Sequence, residues 1–220
     1  MEIAETGQVK YISIAMNKTV TPARPRGRPR GFNRDEVLDR AMRLFWMRGF
    51  EATSISDLTE AMGITPPSLY SSFGDKKTLF LEAVDRYQTG PGLFAQTALS
   101  EEPTAERAIR RLLMDTIESF CDPNHPRGCM VVLAATNCTV ESNDIMDALA
   151  DRRRAAERAI RNRIAAGRTA GEFPADTDVD ALAGLVVATL YGFSIKARDG
   201  ASRASLRKIV EQTMRAWPRS

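Results

Sequence analysis

Glycines at 49 and 63 and the proline pair Pro66-Pro67 cut one amphipathic stretch into three short pieces. This punctuation constrains the chain more than any other feature. From Arg34 the apolar positions Val37, Leu38, Ala41, Leu44 and Phe45 recur at helical spacing. Gly49 stands where a glycine C-cap belongs. A second helix opens at "TSISDLTEAMG": Ser54 followed by Asp57 is a capping-box start. Ile55, Leu58 and Met62 form its inner stripe, and Gly63 stops it. Thr65 then stands as a cap, with Pro66 and Pro67 in the first turn of a third helix over about 65–72, where a missing N–H costs nothing. Leu69 anchors it inward and Phe73 closes it. Two helices joined by a tight glycine turn behind a supporting helix make a helix-turn-helix; the alternative is an ordinary helical hairpin.

What precedes this block is unusual. Arg24, Arg26, Arg28 and Arg30 alternate with proline and glycine, so a stiff cationic strip runs directly into the first helix. The net charge of the 220 residues is only +3. The positive field therefore sits in the arm over residues 23–31 and not in the segment that it introduces. Residues 1–22 carry no long periodic pattern and are expected to be a disordered tail, with Met16 a candidate start.

The block "DEVLDRAMRLFWMRGFEATSISDLTEAMGITPPSLYSSFGDKKTLFLEAV" resembles the DNA-binding domain of the TetR/AcrR transcriptional regulators. The features that carry the likeness come in order. They are Ala41, Leu44, Phe45, Gly49 and Phe50 in the first helix, then Thr53-Ser54-Ile55 with Asp57-Leu58. Gly63-Ile64, Ser68-Leu69-Tyr70, Phe73, Lys76 and Leu79 with Ala83-Val84 complete the set. The likeness is strong over about residues 32–86; beyond them it lies only in the helical layout. It implies that the third helix enters the major groove, presenting Thr65, Pro66, Pro67, Ser68 and Ser71. None of these is a bidentate base reader, and Pro66 stands where the family often has lysine. Thr53, Tyr70 and Lys76 match positions that usually hold phosphates; for Tyr70 the alternative is a packed core tyrosine. The arm segment "GRPR" is similar to an AT-hook core, which places Arg26, Arg28 and Arg30 in a narrow A·T minor groove. The alternative is a solvated polybasic linker.

The remainder reads as all-helical, with no β pattern and no internal repeat. Ile109, Leu112, Leu113, Thr116, Ile117 and Phe120 form a regular stripe. "CMVVLAAT" is apolar all round and reads as a buried helix, and Ser142 is placed to cap a long helix containing Ile145, Met146, Leu149, Ala156, Ile160 and Ile164. The apolar run from Ala181 to Ile195 is shorter than the ~20 residues that cross a bilayer. With a hydrophobic content of 43%, three cysteines and no secretory leader pattern, the expectation is a soluble cytoplasmic protein with no membrane association.

The predicted architecture is thus an all-α chain. The tail (1–22) and arm (23–31) lead into a helix-turn-helix DNA-binding domain at 32–88. A helical effector-binding and dimerisation domain occupies 89–220. The resemblance implies a homodimer formed by the last two helices, with Leu182, Val186, Leu190, Phe193, Leu206, Val210 and Met214 as the candidate interface; the alternative is a monomer that buries both helices internally. The middle helices would enclose an effector pocket, with Phe94, Leu113, Met114, Ile117, Met130, Leu133, Tyr191 and Ile195 as candidate walls, plain core being the alternative for any single one of them, and an apolar or aromatic ligand. Cys129, after Gly128 and near His125 and Arg127, is a candidate redox or electrophile sensor, since a helix N-terminus and cations lower a thiol pKa; inert packing is its bland alternative. Cys121, His125 and Cys129 have a metal-like spacing, but the prolines between them and the want of a fourth ligand leave no metal site and no cofactor predicted. One histidine and no phosphate loop or telling carboxylate pair leave no support for an enzyme. The predicted function is a repressor that binds a palindromic double-stranded operator as a dimer and leaves it when a small molecule binds. An architectural protein of A·T-rich DNA is the rival.

Overall fold

The computed structural model describes residues 32–218, and they are helical throughout with no strand among them. The tail and the arm, including Arg26, Arg28 and Arg30, lie outside the described residues. The first block is α1 (Arg34–Arg48), α2 (Ile55–Met62), α3 (Pro66–Phe73) and α4 (Lys76–Thr89). Then follow α5 (Phe94–Glu101), α6 (Ala105–Phe120), α7 (Met130–Leu133), a 3-10 turn (Val140–Ser142), α8 (Asn143–Thr169), α9 (Val179–Arg198) and α10 (Arg203–Arg215).

The caps of the first block follow the sequence closely. The Asn33 side chain accepts from the Asp35 N–H at the start of α1, and Ser54 and Asp57 close a reciprocal capping box on α2. Gly63 holds the left-handed conformation that the turn requires, at φ 69°. Thr65 departs from expectation: its hydroxyl meets Ser68 Oγ at 3.0 Å and caps no backbone N–H. The prolines make that cap less needed: they remove two of the unpaired N–H groups of the first turn, and Pro67 removes one that the cap would serve.

Four elements differ from the sequence reading. α5 has no counterpart in it; only Ala98 of its side chains is fully buried, so its stripe is faint. The apolar run at 129–136 forms only the single turn α7, after which the backbone turns to let Ala134 C=O accept from Phe50 N–H at 2.7 Å. Ser142 precedes α8 but does not cap it, and its side chain is hydrogen-bonded to Glu51 instead. α9 is longer than the apolar run suggests: at 20 residues and mean hydropathy 1.4 it could cross a membrane by length and composition alone. In this fold Leu182, Val186 and Phe193 bury its inner face against neighbouring helices.

Apolar side chains form two clusters. One joins α1–α4 with Met130, Val131, Ala134, Ala135, Ile145 and Leu149; the other joins α5, α6, α8, α9 and α10. The reading head therefore does not close its core within 32–88. Residues from α7 and the start of α8 complete it. The joint is also polar. Trp46, fully buried, donates Nε1–H to Gly128 C=O at 3.0 Å, and Arg198 at the end of α9 donates to Trp46 C=O at 2.7 Å and Met47 C=O at 2.8 Å. Gly128 is required here. Its φ is 80°, and a Cβ would stand 2.6 Å from Ser194 C=O.

Candidate nucleic-acid interface and effector cavity

On α3, Leu69 and Phe73 point into the head, which leaves the opposite face free. Thr65, Pro66, Pro67, Tyr70 and Ser71 are exposed and Ser68 is half-buried. Tyr70 is 50% exposed, which excludes a packed core tyrosine. The face carries hydroxyls and proline rings and no long polar side chain. Two residues matched to phosphate positions are placed otherwise. Thr53 is fully buried and its hydroxyl donates to Gly49 C=O at 2.6 Å, so it offers a phosphate no surface. Lys76 lies with Nζ 4.2 Å from the centre of the Phe50 ring, and burial pushes its pKa down. The neighbouring Lys77 donates to Glu141 C=O and Asp144, both at 2.7 Å, and so ties the start of α4 to the start of α8.

A cavity of about 920 Å³ lies between α4, α5, α6, α8 and α9. Of the predicted wall residues, Phe94 and Tyr191 line it. Leu113, Ile117 and Met130 are fully buried and reach none of it. Met114 and Leu133 are half-buried off the cavity, and Ile195 is 53% exposed on the outer surface. The walls that sequence does not single out include Leu99, Phe120, Val187, Arg152 and Arg153, together with Asp85, Tyr87, Gln88 and Thr89 at the end of α4. The cavity thus shares a wall with the helix that packs the reading head.

Cys129 lines this cavity, where Tyr87 O–H donates to its Sγ at 3.5 Å. Burial pushes the thiol pKa up, against the expected lowering. The N–H groups of Val131 and Val132 at the start of α7, the Tyr87 hydroxyl and the Arg153 charge all favour the thiolate, but burial outweighs them, and His125 stacks on Trp46 at 4.8 Å. The thiolate that a sensing role requires is therefore disfavoured. Cys121 is buried, and no group of metal-ligating side chains occurs among the described residues.

The candidate dimer residues also sit differently. Leu182, Val186, Phe193, Leu206, Val210 and Met214 are all sealed inside the protomer, and Leu190 lines the cavity. The periodic pattern locates the inner stripe of α9 and α10. The outer stripe of α9 is Ala181, Leu185, Ala188, Gly192 and Ile195. Leu185 is 40% exposed, and a Cβ built on Gly184 or Gly192 would meet nothing within 4 Å.

A helix-turn-helix head, sharing its core with a helical domain that holds an apolar cavity, defines a class: DNA-binding transcriptional regulators. Comparison with known proteins narrows it. The family model for bacterial regulatory proteins of the tetR family matches residues 37–83, and the tetracyclin repressor-like C-terminal domain matches residues 105–213. The HTH-type transcriptional repressor ComR of Escherichia coli (strain K12) is 36% identical over 206 residues, covering 93% of this chain and 98% of that protein. A cysteine variant of the TetR family transcriptional regulator CifR, solved in complex with 26-bp double-strand operator DNA, matches with a TM-score of 0.84 at 43% identity over 87% of this chain and 100% of that one. A TetR regulator from Rhodococcus sp. RHA1 matches with a TM-score of 0.58 at 38% identity, over 84% and 98%. The chain belongs to the TetR family of transcriptional regulators.

Proposed function

We propose that the protein is a cytoplasmic repressor and not an enzyme: as a homodimer it binds a palindromic operator through α3 and leaves it when a small molecule occupies the cavity. The observation that carries this is the shared wall. Asp85, Tyr87, Gln88 and Thr89 of α4 face the cavity, while Leu79, Phe80, Ala83 and Val84 of the same helix are buried in the head. A ligand that prefers a different seat for α4 thereby moves the reading head. ComR, a relative named as a repressor, and CifR, solved on operator DNA, support the same reading.

Within it, the outer stripe of α9 meets its copy across a two-fold axis, which matches the symmetry of a palindrome. Tyr70 and the hydroxyls of Thr65 and Ser71 contact the duplex, with Pro66 and Pro67 against thymine methyls. Arg26, Arg28 and Arg30 supply phosphate and minor-groove affinity. The test is footprinting on fragments selected from genomic DNA. Discrete, two-fold protection is expected; diffuse coverage of A·T-rich stretches would favour the architectural alternative instead.

A further inference from the structure

The charges around the cavity do not cancel in place. Arg152 is paired with Asp85 at 2.6 Å, and Arg163 faces Glu172 at 4.0 Å. Arg153, one residue along α8, is half-buried and has no carboxylate within 4.0 Å among the described residues. One N–H, on Nη1, donates to Val131 C=O at 2.9 Å, which fixes the guanidinium against the cavity. The rest of its donor fork remains for another partner. Its charge acts on two other wall groups, Tyr191 and Cys129, and lowers both against the upward push of burial. Glu157 lies one turn further along α8 and also lines the cavity, but it is exposed to solvent. Its charge opposes that of Arg153 at Tyr191, but it is more exposed and so more screened than Arg153, which shares the cavity wall with Phe120, Val187 and Leu190. A half-buried cation beside apolar surface is most stable with an anion on it, and a guanidinium matches a carboxylate in geometry.

We propose that the cavity takes an amphipathic monoanion, an apolar body bearing one carboxylate, and that Arg153 holds the carboxylate. This rests on the reading of the cavity as the effector site, and it adds a charged head to the apolar or aromatic ligand expected from sequence. The acid's apolar part fills the space bounded by Phe94, Leu99 and Leu190, and its head lies beside Tyr191.

Calorimetric titration of the full-length protein with octanoate, 1-octanol and octylammonium tests it, and 2-naphthoate against 2-naphthol separates a flexible chain from a flat ring. Octanoate or 2-naphthoate is expected to bind roughly tenfold tighter than its neutral partner, as a charge-assisted contact implies. Arg153→Gln should remove that advantage while leaving the alcohols unchanged, which also reports that the variant is folded. Glu157→Gln should leave the acids as tight or tighter. Alcohols or octylammonium binding as well as both acids would overturn the proposal, as would undiminished acid binding by Arg153→Gln or no binding of any probe. The wild-type comparison stands whatever the variants do. Operator release is read separately: acid binding through Arg153 that leaves operator bound would uphold the anion site and sink the release mechanism.

Discussion

At the scale of residues, the joint between the two halves hangs on few atoms. Trp46 packs edge-on to Tyr87 at 4.7 Å, stacks on His125 and donates to Gly128 C=O. Gly128→Ala puts a Cβ against the Ser194 backbone at a positive φ. We expect a loss of about 1–3 kcal/mol, as for strained backbone, measured by urea unfolding. Ser54→Ala removes one half of the α2 capping box and should cost about 1 kcal/mol in the same assay. Its partner Asp57 gives a pH signature. Hydrogen bonds from Ser54, helped by Arg48, lower its pKa from 3.8 to about 2. A carboxyl depressed on folding stabilises fully above its unfolded pKa and loses that contribution as pH falls through the folded one. Wild type should therefore exceed Asp57→Asn in melting temperature at neutral pH, and the gap should close between pH 4 and 2 in thermal scans.

At the scale of elements, the proposed function rests on α4 and α9. Arg152 of α8 holds Asp85 at 2.6 Å and Gln88 at 3.1 Å, both on α4, and it lines the cavity. Asp85 is well exposed, so the pair contributes on the order of 0–1 kcal/mol to stability. Arg152→Gln should leave unfolding almost unchanged but shrink the ratio of operator affinities with and without ligand, which fluorescence anisotropy measures. On α9 the two stripes have opposite roles. Leu185→Asp or Ile195→Asp, on the outer stripe, should give a folded monomer by sedimentation with its circular dichroism intact. Phe193→Asp buries a charge in the protomer core and should unfold the chain. Unfolding by all three substitutions, or a dimer that tolerates the outer pair, would move the interface elsewhere.

At the scale of the whole molecule, the proposed DNA binding draws affinity and discrimination from different places. The α3 face lacks Arg, Lys, Asn and Gln, and Lys76 and Lys77 are engaged with Phe50 and with Glu141 and Asp144. On the proposed function, the arginine arm is the candidate for the main cationic partner of the phosphates. Deleting residues 1–30 should weaken binding to every duplex. It should also flatten the slope of log affinity against log salt, by about 0.9 for each phosphate that is no longer neutralised. A larger drop in affinity on operators with A·T-rich flanks would mark minor-groove entry. An unchanged slope would remove the arm from the mechanism.

The reading head is legible in the sequence because its information is local. Caps, glycine turns and proline starts act within one or two turns of chain, so α1–α4 and their inner stripes appear where the spacing puts them. The all-helical class of the rest follows from the same periodicity. What periodicity cannot supply is which apolar residue faces a neighbour, a cavity or a second copy, since all three environments select the same side chains. Hence Leu113, Ile117 and Met130 read as pocket walls but are core, and Val186 and Phe193 read as lying between protomers but are buried within one. Sequence neighbours suggest a lowered pKa for the Cys129 thiol, whereas the apolar space around it sets the value. Arg152 and Arg153 are adjacent and chemically identical and both line the cavity, yet one is paired with Asp85 of α4 and the other has no carboxylate partner among the described residues. Only the packing of α8 against α4 decides between them, because a charge takes its role from what lies within a few ångströms and not from its place in the chain.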